Sequence, residues 1–203
     1  MRFRPIGLLL SGVVVASSAC SMDATAPSSL AAPTSAVMAK GSNAGDRRDD
    51  ELARSLVATY TVTIDPQRRN LLRFGPHTLD IPAKAVCSTK SGYGLESFDL
   101  ACKGEKAPIT ITAVVRSTAD GTPRIDLLPE LRFNPKKQVT LTLYVPTLTP
   151  ASSGWNILYC ATHSLSLCVD ESQLDPTLAT HADYKSHTLF RRIKHFSGYF
   201  VES

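Results

Sequence analysis

The chain has 203 residues and a formal net charge of +4. That length holds one ordinary domain with a tail. The charge is small and its basic residues are mixed with acidic ones, which excludes a nucleic-acid binder of the usual basic kind.

The chain opens with MRFRPIGLLLSGVVVASSAC. Arg2 and Arg4 precede an apolar run from Ile6 to Ala16, and small residues follow. This is the layout of a secretory signal peptide, expected over 1–19. The apolar run is too short for a permanent transmembrane helix. Ser17-Ser18-Ala19-Cys20 resembles a bacterial lipobox, although Ser17 stands where Leu is usual. On that resemblance Cys20 is lipidated and becomes the mature N-terminus. Its acyl chains would supply the several anchors that stable attachment requires, so a membrane is the first expected partner. Ser21, rather than Asp, follows the cysteine, which in a Gram-negative host favours the outer membrane. Losing residues 1–19 would lower the formal charge from +4 to +2, since only Arg2 and Arg4 go with them.

Residues 20–54 are expected to be the lipidated N-terminus and a disordered tether. The stretch 21–45 is Ala, Ser, Thr and Pro with few large apolar residues, too little to offset the entropy of ordering it. DRRDDELAR, 46–54, is a charged boundary. From residue 55 to 203 the pattern is that of an all-β domain. Ala58, Tyr60, Val62 and Ile64 alternate with Thr59, Thr61 and Thr63; Ile109, Ile111, Ala113 and Val115 share one face; so do Val139, Leu141, Leu143 and Val145. Strict alternation is the mark of half-buried strands. Turn pairs separate these runs: Asp65-Pro66, Gly75-Pro76, Asp120-Gly121, Asn134-Pro135, Ser153-Gly154 and Asp175-Pro176. Further strands are expected near 70–74, 77–81, 124–128, 155–160, 166–170, 187–194 and 198–202. Many short strands and no sustained 3.6-residue period predict a β-sandwich of mainly antiparallel strands.

Cys87, Cys102, Cys160 and Cys168 remain after Cys20 is set aside. An even number in an exported chain predicts two disulfides. The local pairing, Cys87–Cys102 and Cys160–Cys168, brackets one loop each and would stabilise by about 2.5–3 kcal/mol per bridge on the chain-entropy model. No Cys-x-x-Cys spacing exists, and no His-x-x-x-His pair occurs among His77, His163, His181, His187 and His195, so no metal site and no cofactor are expected.

Two short stretches carry a resemblance. GPHTLDIPAKAV, 75–86, and KHFSGYFV, 194–201, resemble the ZU-five domain, the β-sandwich module of zonula occludens and netrin-receptor proteins. The family runs a strand into an Ile-Pro-x-Gly-Ala turn, matched here by Ile81-Pro82-Ala83-Lys84-Ala85 except that Lys84 replaces Gly, and ends on a His-Phe-Ser-like closing strand. The resemblance implies a divergent, bacterial-style version covering roughly 56–201. It also implies an alternative role, because some relatives cut themselves within His-Phe-Ser. In that chemistry Ser197 Oγ attacks the carbonyl of Phe196, His195 accepts the hydroxyl proton, the amide becomes an ester with a free amine, and water hydrolyses the ester. It requires strained backbone at the scissile bond. Leu189 and Ile193 are apolar at odd positions but Phe196 and Phe200 at even ones, so the strand phase slips, which predicts a bulge or bend at Lys194–His195. The competing expectation is a plain closing strand, with Phe196 or Phe200 in the core and His195 and Ser197 meeting solvent or a backbone group.

Two other stretches invite a role. FRRIK, with Arg191, Arg192 and Lys194, reads either as a contact for anionic head groups or polysaccharide, or as a solvated, edge-like strand kept apart by charge, the latter preferred. SGYG, 91–94, lies inside the expected Cys87–Cys102 loop, a plausible recognition loop. The sequence therefore predicts an envelope lipoprotein with a noncatalytic binding or structural domain, its partner an envelope protein or polysaccharide, against the alternative of a self-cleaving domain.

Overall fold

The computed structural model describes residues 56–151, 154–161 and 168–202, with the short strand Ala36–Val37. The expectations for the signal peptide over 1–19 and for lipidation of Cys20 lie outside these residues. Among the described residues no helix is long and apolar enough to cross a membrane.

In chain order the strands are β1 (Ala36–Val37), β2 (Leu56–Ile64), β3 (Asn70–Phe74), β4 (His77–Ile81), β5 (Ile109–Ser117), β6 (Pro123–Leu128), β7 (Val139–Tyr144), β8 (Asn156–Cys160), β9 (Cys168–Val169), β10 (His181–Asp183), β11 (Thr188–Ile193) and β12 (Gly198–Glu202). They form a seven-stranded sheet in the order β1-β2-β5-β6-β12-β8-β9 and a five-stranded sheet in the order β10-β11-β7-β4-β3. Every pairing is antiparallel. The all-β expectation holds, and so do both local disulfides, Cys87–Cys102 and Cys160–Cys168.

The alternation read from the sequence explains which side chains meet. Tyr60 faces Ala113, which faces Leu127; Leu79 faces Leu141, which faces Arg191. Opposed residues in a ladder share a sheet face, so one row of each sheet points inward. Ile64, Ile111, Ala113, Ile125 and Val201 from one sheet and Leu79, Ile81, Leu141, Leu143 and Leu189 from the other belong to one buried core. Trp155 precedes β8 and packs, partly buried, against that core.

Of the two expected causes of the phase slip, a bulge or a bend, the structure has the bend. β11 belongs to the five-stranded sheet and β12 to the seven-stranded sheet, so residues 194–197 carry the chain from one sheet to the other and the inward parity changes with the sheet. Arg191, Arg192 and Lys194 are not on a solvated edge. β11 lies between β10 and β7, and Arg191, in step with Leu189 and Ile193, points inward and is 1% exposed. Gly198 serves close approach of its neighbours. A Cβ there would lie 2.7 Å from Asp126 Oδ1 and 2.9 Å from the Cys160 carbonyl oxygen.

Lys84 occupies the left-handed region at φ 60, and its amide donates to the Pro66 carbonyl at 2.8 Å. A Cβ costs roughly 1–2 kcal/mol in that region, more than glycine loses in unfolded-chain entropy. Because Lys84 is exposed and makes its hydrogen bond through the backbone, Lys84→Gly should raise stability by up to about 1 kcal/mol, read as a higher urea midpoint at unchanged slope. A lower midpoint would show that the left-handed strain is not there.

Candidate functional site

The corner between β11 and β12 brings His195, Phe196 and Ser197 against three other segments. Its backbone is fixed first. Phe196 N donates to the Leu131 carbonyl at 2.7 Å, Phe133 N to Lys194 at 2.8 Å, and Leu127 N to Ser197 at 3.0 Å. The Tyr199 hydroxyl donates to the His195 carbonyl at 2.7 Å. Phe196 is fully buried with its ring edge-on to Phe133.

His195 is also fully buried, so of the two expected surroundings, solvent or a backbone group, it has the backbone group. Its ring stacks on Phe98 with centroids 4.0 Å apart and takes Tyr159 edge-on at 4.8 Å. Nε2 lies 3.1 Å from Glu171 Oε1, and Glu171 Oε2 accepts from Arg191 Nη2 at 2.8 Å. Arg191 Nη1 donates to the Ile157 carbonyl in the opposite sheet. A carboxylate and a carbonyl oxygen can only accept, so a ring nitrogen that bonds here donates, Nε2 toward Glu171 Oε1 and Nδ1 toward the Phe196 carbonyl oxygen 3.4 Å away. That oxygen accepts from the Tyr93 hydroxyl at 2.5 Å. Burial pushes the Tyr93 and Tyr159 hydroxyls upward in pKa, so both stay protonated and can donate. Ser197 Oγ donates to the Cys160 carbonyl at 3.2 Å, the backbone contact foreseen for a closing strand.

The arrangement thus holds a hydroxyl, a histidine oriented by a carboxylate, and a donor on the carbonyl before the serine, which are the groups an acyl shift uses. Among the described residues, those of positive φ outside glycine are Lys84 and His187, and neither is at the corner.

Beside this nest runs a groove of about 860 Å³. Phe98, Leu158 and Tyr159 line its inner part, and Leu95, Val169 and Leu174 stand at its mouth. Its two walls are held. Arg132 donates from Nη1 to the carbonyls of Ser97 and Leu100 and from Nη2 to that of Ser91, and Cys87–Cys102 closes the same loop. The other wall is held by Glu171, by Cys160–Cys168, and by Asp175, whose carboxyl the Lys194 ammonium at 2.8 Å keeps at about 2.

No family model matches the chain, and no curated protein or solved structure matches it either.

The other histidines stand apart. His77 is buried in the five-stranded sheet, His181 stacks on Phe190, His187 Nδ1 lies 3.1 Å from the Leu148 carbonyl oxygen, and His163 lies outside the described residues. Among the described residues no three His, Cys, Asp or Glu side chains are grouped to hold a metal ion. Sequence reasoning named His195, Phe196 and Ser197, placed Arg191 on a solvated strand rather than inside, and missed Glu171. Tyr93 did have a signal, since it sits in the stapled SGYG loop already singled out.

Proposed function

We propose that the chain is an envelope lipoprotein, anchored through Cys20 and carrying a noncatalytic ZU-five-like sandwich that binds an envelope partner. The observation that carries the reading is the rigid, partly apolar groove between two disulfide-closed walls. The corner beside it supports a closing-strand role: Phe196 fills the core, and Ser197 spends its hydroxyl on a strand carbonyl. The left-handed Lys84 stands where the ZU-five turn has glycine, which supports the family reading.

A second reading has its own observation. The Tyr93 donor on Phe196 and the Glu171–His195 pair suit self-cleavage between Phe196 and Ser197. Intact mass of the purified protein, beside Ser197→Ala, separates the two. Because β12 pairs with both β6 and β8, the fragment from Ser197 onward would stay bound after a cut, so the mass is taken under denaturing conditions. The expected result is the same full-length C-terminus in both proteins. Loss of Ser197–Ser203 from the wild type alone would establish self-cleavage instead.

A further inference from the structure

We propose that the groove takes an extended polypeptide segment in which apolar side chains are set next to lysine or arginine. The inference rests on the binding reading above and names its ligand. The apolar part follows from exposure: Leu95 is 77% exposed, Val169 51% and Leu174 92%, all at one mouth, an arrangement that costs solvation unless a partner covers it. The cationic part follows from charge. Among the described residues that line the groove, Asp99, Asp170, Glu171, Asp175 and Glu202 are acidic and Lys194 is the one cation. Lys194 is already flanked by Asp99 and Asp175, and Glu171 is occupied by Arg191 and His195. Leaving Glu202 aside, the four carboxylates of Asp99, Asp170, Glu171 and Asp175 face the two cations Lys194 and Arg191, so the described lining stays net negative, which attracts a cationic ligand and repels phosphate head groups. An extended chain suits this shape, because its alternate side chains can place Leu-like groups inward and ammonium groups at the rim. Both disulfides and the Arg132 hydrogen bonds tie the described parts of the walls, so little affinity is lost to arranging those parts.

The test uses the full chain and fluorescein-labelled hexapeptides of alternating leucine–lysine, leucine–glutamate and serine–lysine, read by anisotropy. The leucine–lysine peptide should bind at least tenfold tighter than either other peptide. Leu95→Ser with Leu174→Ser, both at exposed positions, should weaken it about tenfold, and added salt should weaken it further. Equal binding of leucine–lysine and leucine–glutamate overturns the cationic preference. Binding that ignores the paired leucine change overturns the groove as the site, and so does no binding of any hexapeptide. If the paired change instead abolishes binding to phosphatidylglycerol-containing vesicles, the occupant is a membrane and the proposal fails. A photo-crosslinker placed at Leu174 in cells keeps the broader reading separate. An adduct alongside failed hexapeptides removes only the peptide chemistry, whereas no adduct at all removes the binding reading itself.

Discussion

Glu171→Ala should cost about 3–5 kcal/mol of stability. The reason is the company the carboxylate keeps. The Arg191 and His195 side chains are 0% exposed, while that of Glu171 is 12% exposed. Arg191 crosses from β11 toward β8, and its charge is offset inside the sandwich by Glu171 and by backbone carbonyls. Deleting the carboxylate leaves a buried guanidinium with neutral acceptors only and removes the acceptor from His195 Nε2. The cost would appear as a lower urea midpoint at unchanged slope. A second variant isolates the mechanism. Glu171→Leu combined with Arg191→Leu removes both charges and should be less destabilising than Glu171→Ala alone, because no uncompensated charge remains. A double variant worse than the single by the full sum of two independent losses would mean that packing, not charge, holds this position.

Lowering the pH from 7 to 5 should cost about 2 kcal/mol through His77 alone. His77 is 3% exposed, and its Nδ1 accepts a hydrogen bond from the Tyr144 amide at 3.1 Å. Burial pushes the folded-state value down from 6.5 to about 4. The unfolded chain therefore binds the proton first as the pH falls. Stability from this group is fully present above the unfolded value, and it is lost between about pH 6.5 and 4 as the unfolded state gains the proton and the folded state resists it. His77→Asn offers an oxygen near the Nδ1 position and cannot titrate. Its stability difference between pH 7 and 5 should be smaller than the wild type's by that amount. Identical pH dependence in the two proteins would show that His77 is not held neutral.

Much of the fold was legible because it obeys a period of two. Val139 to Val145 and Ile109 to Val115 announce strands with one buried face, and β3, β4 and β12 fall on the predicted residues. The two local disulfides followed from the same reading, since each closes a loop between strands. The candidate site was legible only in part. Parity already placed Arg191 with Leu189 and Ile193, but a positive charge reads as solvent-facing until its acid is known. That acid, Glu171, sits in a 3-10 turn after β9, where nothing in its neighbours marks it as the partner of a buried arginine. The slip of phase before Phe196 was visible as well. Its meaning was not, because a change of sheet and a bulge in one strand shift parity in the same way.

The place of β12 has a consequence for biosynthesis. It joins β6 to β8, facing Asp126 on one side and Cys160 on the other at Gly198. Until Gly198–Glu202 has left the ribosome, the large sheet exists only as two unconnected pieces, β1-β2-β5-β6 and β8-β9, with the facing edges of β6 and β8 open. Partners so distant along the chain close slowly. Until β12 arrives, the open edges of β6 and β8 offer unpaired backbone groups to other strands or to chaperones.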